Sequence, residues 1–238
     1  MCGVCGCADH HETIIAHHHD EHIINIEQDI FALNNQYAEL NKQYFQKNNI
    51  LPLNIMSSPG SGKTTLLTRT LPQFDNCAVI VGDQHTDEDA KQLQTTGFTA
   101  IQVNTGKVCH LDAHMVNHAI EKLPKKQNML LFIENIGNLV CPSLFNLGES
   151  YKIVLLSVTE GDNKPIKYPE MFRHADLLII TKSDLLPYVD FNVERCSQYA
   201  KRINQNIEII TTSIKDQHSL TSWYNWLKII QNIDNINY

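Results

Sequence analysis

Leu53-Asn-Ile-Met-Ser-Ser-Pro-Gly-Ser-Gly-Lys-Thr-Thr-Leu-Leu67 is the stretch whose reading decides the fold. The apolar run Ile50, Leu51, Leu53, Ile55 and Met56 predicts a buried strand. Small residues then make a turn, and from Lys63 the pattern becomes helical. Strand, turn and helix in that order form the context of a phosphate-binding loop. Gly60 and Gly62 let backbone N–H groups converge on an anion, and the helix N-terminus adds partial positive charge. Phosphate contacts fall to Ser58, Pro59, Gly60, Ser61, Gly62, Lys63, Thr64 and Thr65. Lys63 is expected on the β- and γ-phosphates, and the Thr64 hydroxyl on Mg²⁺. Ser57 stands where the motif G-x-x-x-x-G-K-S/T has its first glycine. A glycine/serine linker with a chance Lys-Thr pair would not explain the flanking strand and helix. A bound nucleoside triphosphate is expected.

Outward from this loop, apolar strand candidates recur at 51–56, 77–82, 100–103, 129–134, 151–158, 176–181 and 207–212. Helical stretches at 64–72, 86–95, 112–122, 192–205 and 219–232 separate them. Such alternation predicts an α/β fold of three layers, with a mainly parallel sheet of about seven strands covered on both faces. Ligands then sit at the carboxyl ends of the strands. Asp83 closes the second strand and Glu134 the fourth, each placed to hold Mg²⁺ or its waters, although a strand-end acid can also be a plain helix cap. Gly137, just beyond, would let a backbone N–H approach the γ-phosphate and give its loop two states.

Leu177-Leu-Ile-Ile-Thr-Lys-Ser-Asp184 bears on the base. A carboxylate at Asp184 can accept from N1–H and N2–H₂ of guanine, a donor pair that adenine lacks. The Lys182 stem can lie along the purine. Thr181 replaces the Asn usual in GTPases and can still make one side-chain hydrogen bond. Ser213, in Ile209-Ile-Thr-Thr-Ser213, fits a last guanine-binding element, with Ile214 where Ala is usual. GTP/GDP is expected over ATP, with an ATP-dependent kinase as the competing reading.

Two clusters suit metal ions. Cys2, Cys5 and Cys7 place three soft thiolates within reach of one ion, fitting Ni²⁺, Zn²⁺ or Cu⁺. Three of the seven cysteines lie there, and six of the twelve histidines fall within the first 22 residues. A redox Cys-x-x-Cys is the rival reading, but no βαβ pattern surrounds it. The second cluster is Cys109, His110 and Cys141. Adjacent residues share an ion only in irregular backbone, which the turn before the 112–122 helix supplies, and a helix N-terminus favours a thiolate. The same cysteines could instead be small buried hydrophobes, as assumed for Cys77 and Cys196.

At 238 residues the chain can bury one α/β core. Residues 1–24 offer little to bury and are expected as a disordered metal-binding tail, 25–48 as an amphipathic helix, and 49–238 as the nucleotide domain. Ile26, Ile30, Leu33, Tyr37, Leu40 and Tyr44 form one helical stripe, expected to pack against the domain. No apolar run spans a bilayer and no signal core opens the chain, so a cytoplasmic location and no membrane partner are expected. A net charge of −7 without a basic cluster argues against nucleic acid.

Ser57–Thr65, Gly82-Asp-Gln84, Asn104–Asp112, Phe132–Pro142, Ser157–Gly161 and Lys182–Pro187 together resemble the HypB family over essentially all of residues 50–230. These are nickel-inserting GTPases of nickel–iron hydrogenase maturation. The resemblance implies a P-loop GTPase fold of the signal-recognition and MinD-like class and a GTP-driven homodimer. It puts Cys109, His110 and Cys141 at a nickel or zinc site near the dimer interface, and Cys2, Cys5 and Cys7 in a nickel motif. It further implies a nickel chaperone partner, HypA, docking near the segment before the phosphate loop, and the hydrogenase large subunit precursor as recipient. Lys63, Asp83 and Glu134 are the catalytic candidates, with slow hydrolysis because no Gln or Arg finger is evident. A urease-type nickel GTPase, or a nickel/zinc storage protein with a secondary GTPase, are the alternatives.

Overall fold

The computed structural model describes the backbone of residues 21–236 and the side chains of 28–233. The tail ligands Cys2, Cys5 and Cys7 lie outside them. Seven strands form one sheet: β1 (Ile50–Ser57), β2 (Cys77–Asp83), β3 (Thr99–Asn104), β4 (Met129–Gly137), β5 (Tyr151–Ser157), β6 (Leu177–Thr181) and β7 (Glu208–Thr211). Their order is β3-β2-β4-β1-β5-β6-β7, with every pairing parallel. The expected α/β layering and strand positions hold. β1 is buried at all its residues because both sheet faces are covered, which is why it reads as a nearly continuous apolar run interrupted only by Asn54 and Ser57.

The helices are α1 (Glu21–Lys47), α2 (Lys63–Thr70), α3 (Glu88–Gln94), α4 (Ala113–Ile120), α5 (Cys141–Leu144), α6 (Lys164–Lys167), α7 (Pro169–Arg173), α8 (Val193–Ile203) and α9 (Gln217–Ile236). One face of the sheet packs Leu53, Ile55 and Phe132 against Leu66 and Leu67 of α2, Leu93 of α3, and Trp223 and Leu227 of α9. The other packs Ile80 and Ile133 against Phe45 of α1 and Val116 of α4, and Leu178 and Ile180 against Phe172 of α7 and Cys196 of α8. Cys77 and Cys196 are buried, and desolvation raises both thiols to about 12. The short helices α5, α6 and α7, each with Pro in its first turn, are too brief to show a 3.6-residue period in sequence.

α1 corrects two expectations. It begins at Glu21, inside the segment expected as tail. Its apolar stripe packs only in part: Ile30, Leu33 and Leu40 are 51%, 56% and 53% exposed, whereas Tyr37 and Tyr44 are half-buried against the domain, and Ile26 lies outside the described side chains. The buried positions are Asn34, Ala38, Asn41 and Phe45. Both asparagines are buried because both are satisfied. Asn34 Nδ2 donates to the Asn146 carbonyl (2.9 Å) and its Oδ1 accepts from Ala113 N (2.9 Å). Asn41 Nδ2 donates to the carbonyls of Ala113 (2.8 Å) and Leu147 (3.0 Å). Fully bonded amides go inside where isolated ones could not. Gly148 lets the chain meet α1, since a Cβ there would lie 2.6 Å from the Ala38 carbonyl oxygen.

Candidate functional site

A cleft of about 540 Å³ opens at the carboxyl ends of the strands, lined by Pro59, Gly60, Lys63, Thr64, Asp83, Glu134, Gly137 and Lys182 among others. That size suits a nucleotide-sized ligand. Gly60 and Gly62 take φ +74° and +97°, left-handed values that glycine tolerates and that turn the loop into α2. The polar side chains of the cleft are bonded to one another. Lys63 Nζ donates to Ser57 Oγ at 3.0 Å, so the residue replacing the motif's first glycine holds the lysine. Burial draws the Lys63 pKa down, against the pull of Glu134. Thr64 Oγ1 donates to Glu134 Oε1 at 2.7 Å.

Glu134 is pushed up to about 7 by desolvation, with Lys63 and Thr64 opposing. Its Oε2 is buried and has no protein partner. An anionic oxygen left bare beside a threonine hydroxyl fits a hard cation such as Mg²⁺. Asp83 lines the same cleft, but its carboxylate accepts from the His85 and Thr86 amides and from the Thr86 hydroxyl (2.9 Å). Burial raises its pKa, and those bonds outweigh burial to leave it lowered. Asp83 therefore caps its own turn while Glu134 meets the phosphate loop. Between Ile55↔Glu134 and Ser57↔Gly137 the β1–β4 register shifts, with two β4 residues facing Met56. This bulge seats Gly137 on the loop: a Cβ there would lie 2.8 Å from Pro59 Cα.

At the far end, Thr181 Oγ1 donates to the Ser61 carbonyl (2.7 Å) and Lys182 Nζ to that of Gly60 (2.6 Å), tying β6 to the phosphate loop. Thr181 thus makes the one side-chain bond expected of it. Asp184 accepts from Ser213 Oγ (2.6 Å) and pairs with Lys215 Nζ (3.0 Å), and these contacts, Ser213 first, lower its pKa. Lys215 was not singled out in the sequence, since a lysine after the Ser213 element has no fixed spacing. Neither was Glu160, whose Oε1 accepts from Ser61 Oγ (2.6 Å) and Ser157 N (3.0 Å).

Cys109, His110 and Cys141 come together, with one ligand atom from each within 4.8 Å of the others. The two thiols are free and 2.8 Å apart. Contact with Cys109 first, then burial, raises the Cys141 pKa. That shift belongs to two thiols competing for one proton, and a bound cation reverses it. His110 stacks on Phe145 at 3.9 Å, its Nδ1 is buried without a partner, and burial lowers its pKa. Neutral imidazole is the ligand form.

Two asparagines assemble this site. Asn135 Oδ1 accepts from Leu111 N (3.0 Å), fastening the Cys109–His110 turn to β4. Asn138 Nδ2 donates to the Cys109 carbonyl (3.4 Å) and its Oδ1 accepts from Val140 N (2.9 Å). Gly82 makes room for Leu111, whose Cγ would lie 2.6 Å from a Cβ there. The end of β4 and the loop after it thus run from Glu134, past Gly137 against Pro59, to Cys141.

The family profile described as "CobW/HypB/UreG, nucleotide-binding domain" matches residues 52–211. The chain is 51% identical over 209 residues to the hydrogenase maturation factor HypB of Azotobacter vinelandii, covering 87% of this chain and 69% of that one. It is 40% identical to the hydrogenase/urease maturation factor HypB of Helicobacter hepaticus, over 83% of this chain and 84% of that one. The crystal structure of HypB from Helicobacter pylori in complex with nickel superposes with a TM-score of 0.80 at 40% identity, covering 84% of this chain and 96% of that one. With a phosphate loop, a strand-end carboxylate and a Cys/His/Cys cluster on one such sheet, this chain belongs to the HypB family of nucleotide-binding hydrogenase maturation factors.

Proposed function

We propose that the chain is a GTP hydrolase that carries nickel to the large-subunit precursor of a nickel–iron hydrogenase and uses nucleotide state to hold or release the metal. The observation that carries this is the continuous segment, the end of β4 and the loop after it, that joins Glu134 and Gly137 in the cleft to Cys141 in the thiol cluster. Lys63 leaves Ser57 for the β- and γ-phosphates, and the amides of 58–65 stabilise charge on the transferred phosphoryl. Thr64 and Glu134, with Asp83 nearby, hold Mg²⁺, which when bound neutralises phosphate charge. Guanine displaces Lys215 and takes the Asp184 carboxylate. Water is the nucleophile; no arginine lines the cleft among the described residues, and the glutamines that do are Gln84 and Gln92.

A γ-phosphate at Gly137 moves the loop carrying Asn138 and Cys141 relative to Cys109, so the two nucleotide states bind nickel differently. Two thiolates and an imidazole suit Ni²⁺ or Zn²⁺ and leave coordination open for exchange across a homodimer. The exposed Ile30, Leu33 and Leu40 face of α1 offers a surface to a chaperone of the HypA kind, and Cys2, Cys5 and Cys7 add a nickel motif.

The test is nickel affinity and oligomer mass of the full chain carrying Cys2→Ala, Cys5→Ala and Cys7→Ala, with GDP and with a non-hydrolysable GTP analogue. Affinity and mass should both change with the nucleotide; equal nickel affinity in the two states ends the switch mechanism. The hydrogenase/urease name of the Helicobacter hepaticus relative favours a second recipient. Separate hydrogenase and urease assays in a deletion strain decide between them.

A further inference from the structure

The Cys109, His110 and Cys141 cluster is braced by aromatic rings that are not themselves ligands. α5 opens at Cys141 and ends at Leu144, and Phe145 caps it. From there the Phe145 ring lies on the other ligand-bearing turn, stacked on His110 with centroids 3.9 Å apart and planes 22° apart. Phe145 also meets Phe31 of α1, with centroids 5.2 Å apart and planes tilted by 37°. Asn34, three residues on and so on the same face of α1, donates to the Asn146 carbonyl (2.9 Å) and accepts from Ala113 N (2.9 Å). One turn of α1 therefore grips the chain just after Phe145 and soon after His110. Phe145 is buried, and His110 Nδ1 is buried without a partner. A histidine that ligates a metal is ordinarily oriented by a hydrogen bond to its second nitrogen. Among the described residues no hydrogen bond reaches the His110 ring, so the stack takes that place.

We propose that Phe145, backed by Phe31, is a positioning residue for metal capture: it holds the His110 imidazole beside the two thiols before an ion arrives. The inference rests on the reading of this cluster as a nickel or zinc site. An imidazole free to turn loses rotational freedom when it ligates, and that loss is subtracted from affinity. A ring already held flat against another has lost the freedom on folding, so less is lost at binding. Leucine at 145 would fill a similar space and keep water out, but it has no flat face to fix the ring plane. α5 carries Cys141 at its start and Phe145 at its end. A shift of that short helix would therefore move one ligand together with the ring that orients another.

The test is a double-mutant cycle between Phe145 and His110. Its parent is the full chain carrying Cys2→Ala, Cys5→Ala and Cys7→Ala, titrated with Ni²⁺. The signal is thiolate-to-nickel charge-transfer absorption, which the tail histidines cannot give. Phe145→Leu should raise the nickel dissociation constant by about tenfold, as loss of a group that orients a ligand does. In the His110→Ala background the same change should have less than about a twofold effect, because no ring is left to position. Phe145→Tyr keeps the flat ring and should stay within about threefold of the parent. Where circular dichroism shows that Phe145→Leu does not fold, Phe31→Leu, at a half-buried helix position, enters the same cycle with an expected loss of about threefold. An unchanged affinity in the leucine variant, an equal loss with and without His110, or Phe145→Tyr as weak as Phe145→Leu would each overturn the proposal. A parent chain with no nickel absorption would instead end the metal-site reading on which it rests.

Discussion

The nucleotide cleft and the thiol cluster are wired in opposite ways. In the cleft the residues bond to one another: Lys63 to Ser57, Thr64 to Glu134, Thr181 to Ser61, and Asp184 to Ser213 and Lys215. A nucleotide arriving there exchanges partners, so its binding is an act of displacement. In the thiol cluster the groups lack partners: His110 Nδ1 is orphaned and the two thiols have each other. A metal ion there would give His110 Nδ1 its missing partner and replace a single thiol–thiol contact. The difference teaches that filling the cleft means exchanging existing hydrogen bonds, whereas the cluster holds an unpartnered ring nitrogen ready for a ligand.

Removing the cleft's cation should have the largest effect. Lys63→Ala should lower GTP turnover by about 10²–10³-fold, as loss of one charge-stabilising donor does, with the fold intact by circular dichroism. A loss under tenfold would mean that the wiring of the cleft has been misread.

Acid should act next. Because Glu134 is pushed up to about 7, turnover should rise by about tenfold per pH unit below that value and level off above it. Stability of the nucleotide-free protein has the opposite sign. The raised carboxyl favours folding below its unfolded value of 4.5, and the advantage is lost as pH climbs through about 7. Glu134→Gln should remove both trends, measured by turnover and thermal melting across that window.

On the cluster side, Asn138→Ala should weaken nickel binding by about 10–100-fold, the usual effect of losing a group that orients ligands. Equilibrium titration of the chain lacking its three tail cysteines measures it. An unchanged affinity would show that the thiols need no scaffold.

The smallest effects belong to the two sides of α1, which supports the cluster through Ala113 and Leu147. Asn41→Ala leaves buried groups unpaired and should cost about 1–3 kcal/mol in urea unfolding. Leu40→Gln should stay within about 0.5 kcal/mol. Equal costs would place the apolar stripe against the domain after all.

That last pair marks where sequence reading stops. The stripe Ile30, Leu33, Tyr37, Leu40, Tyr44 has the helical period and was expected inside, because periodicity scores apolar character alone. Asn34 and Asn41 share a period too, but an asparagine is burial-competent only when its acceptors are in place, and those come from carbonyls more than 70 residues away. Asn135 and Asn138 were passed over for the same reason: their worth lies in the amides and carbonyls they meet. The seven strands, by contrast, were legible, since strands covered on both faces are mostly apolar.

By itself the sequence determined the order of the strands and of the longer helices, the phosphate loop at Ser57–Thr65 and which side chains are metal-competent. These depend on local spacing, backbone freedom at glycine and side-chain chemistry, all carried within a few residues. Only the tertiary structure decided that Glu134 and not Asp83 meets Thr64, that Ser57 holds Lys63, that Cys109 and Cys141 touch, and which side of α1 is dry. Apart from Ser57 and Lys63, which face each other across one turn, each of those is a choice among partners distant in the chain, and only the packed sheet brings them within bonding distance.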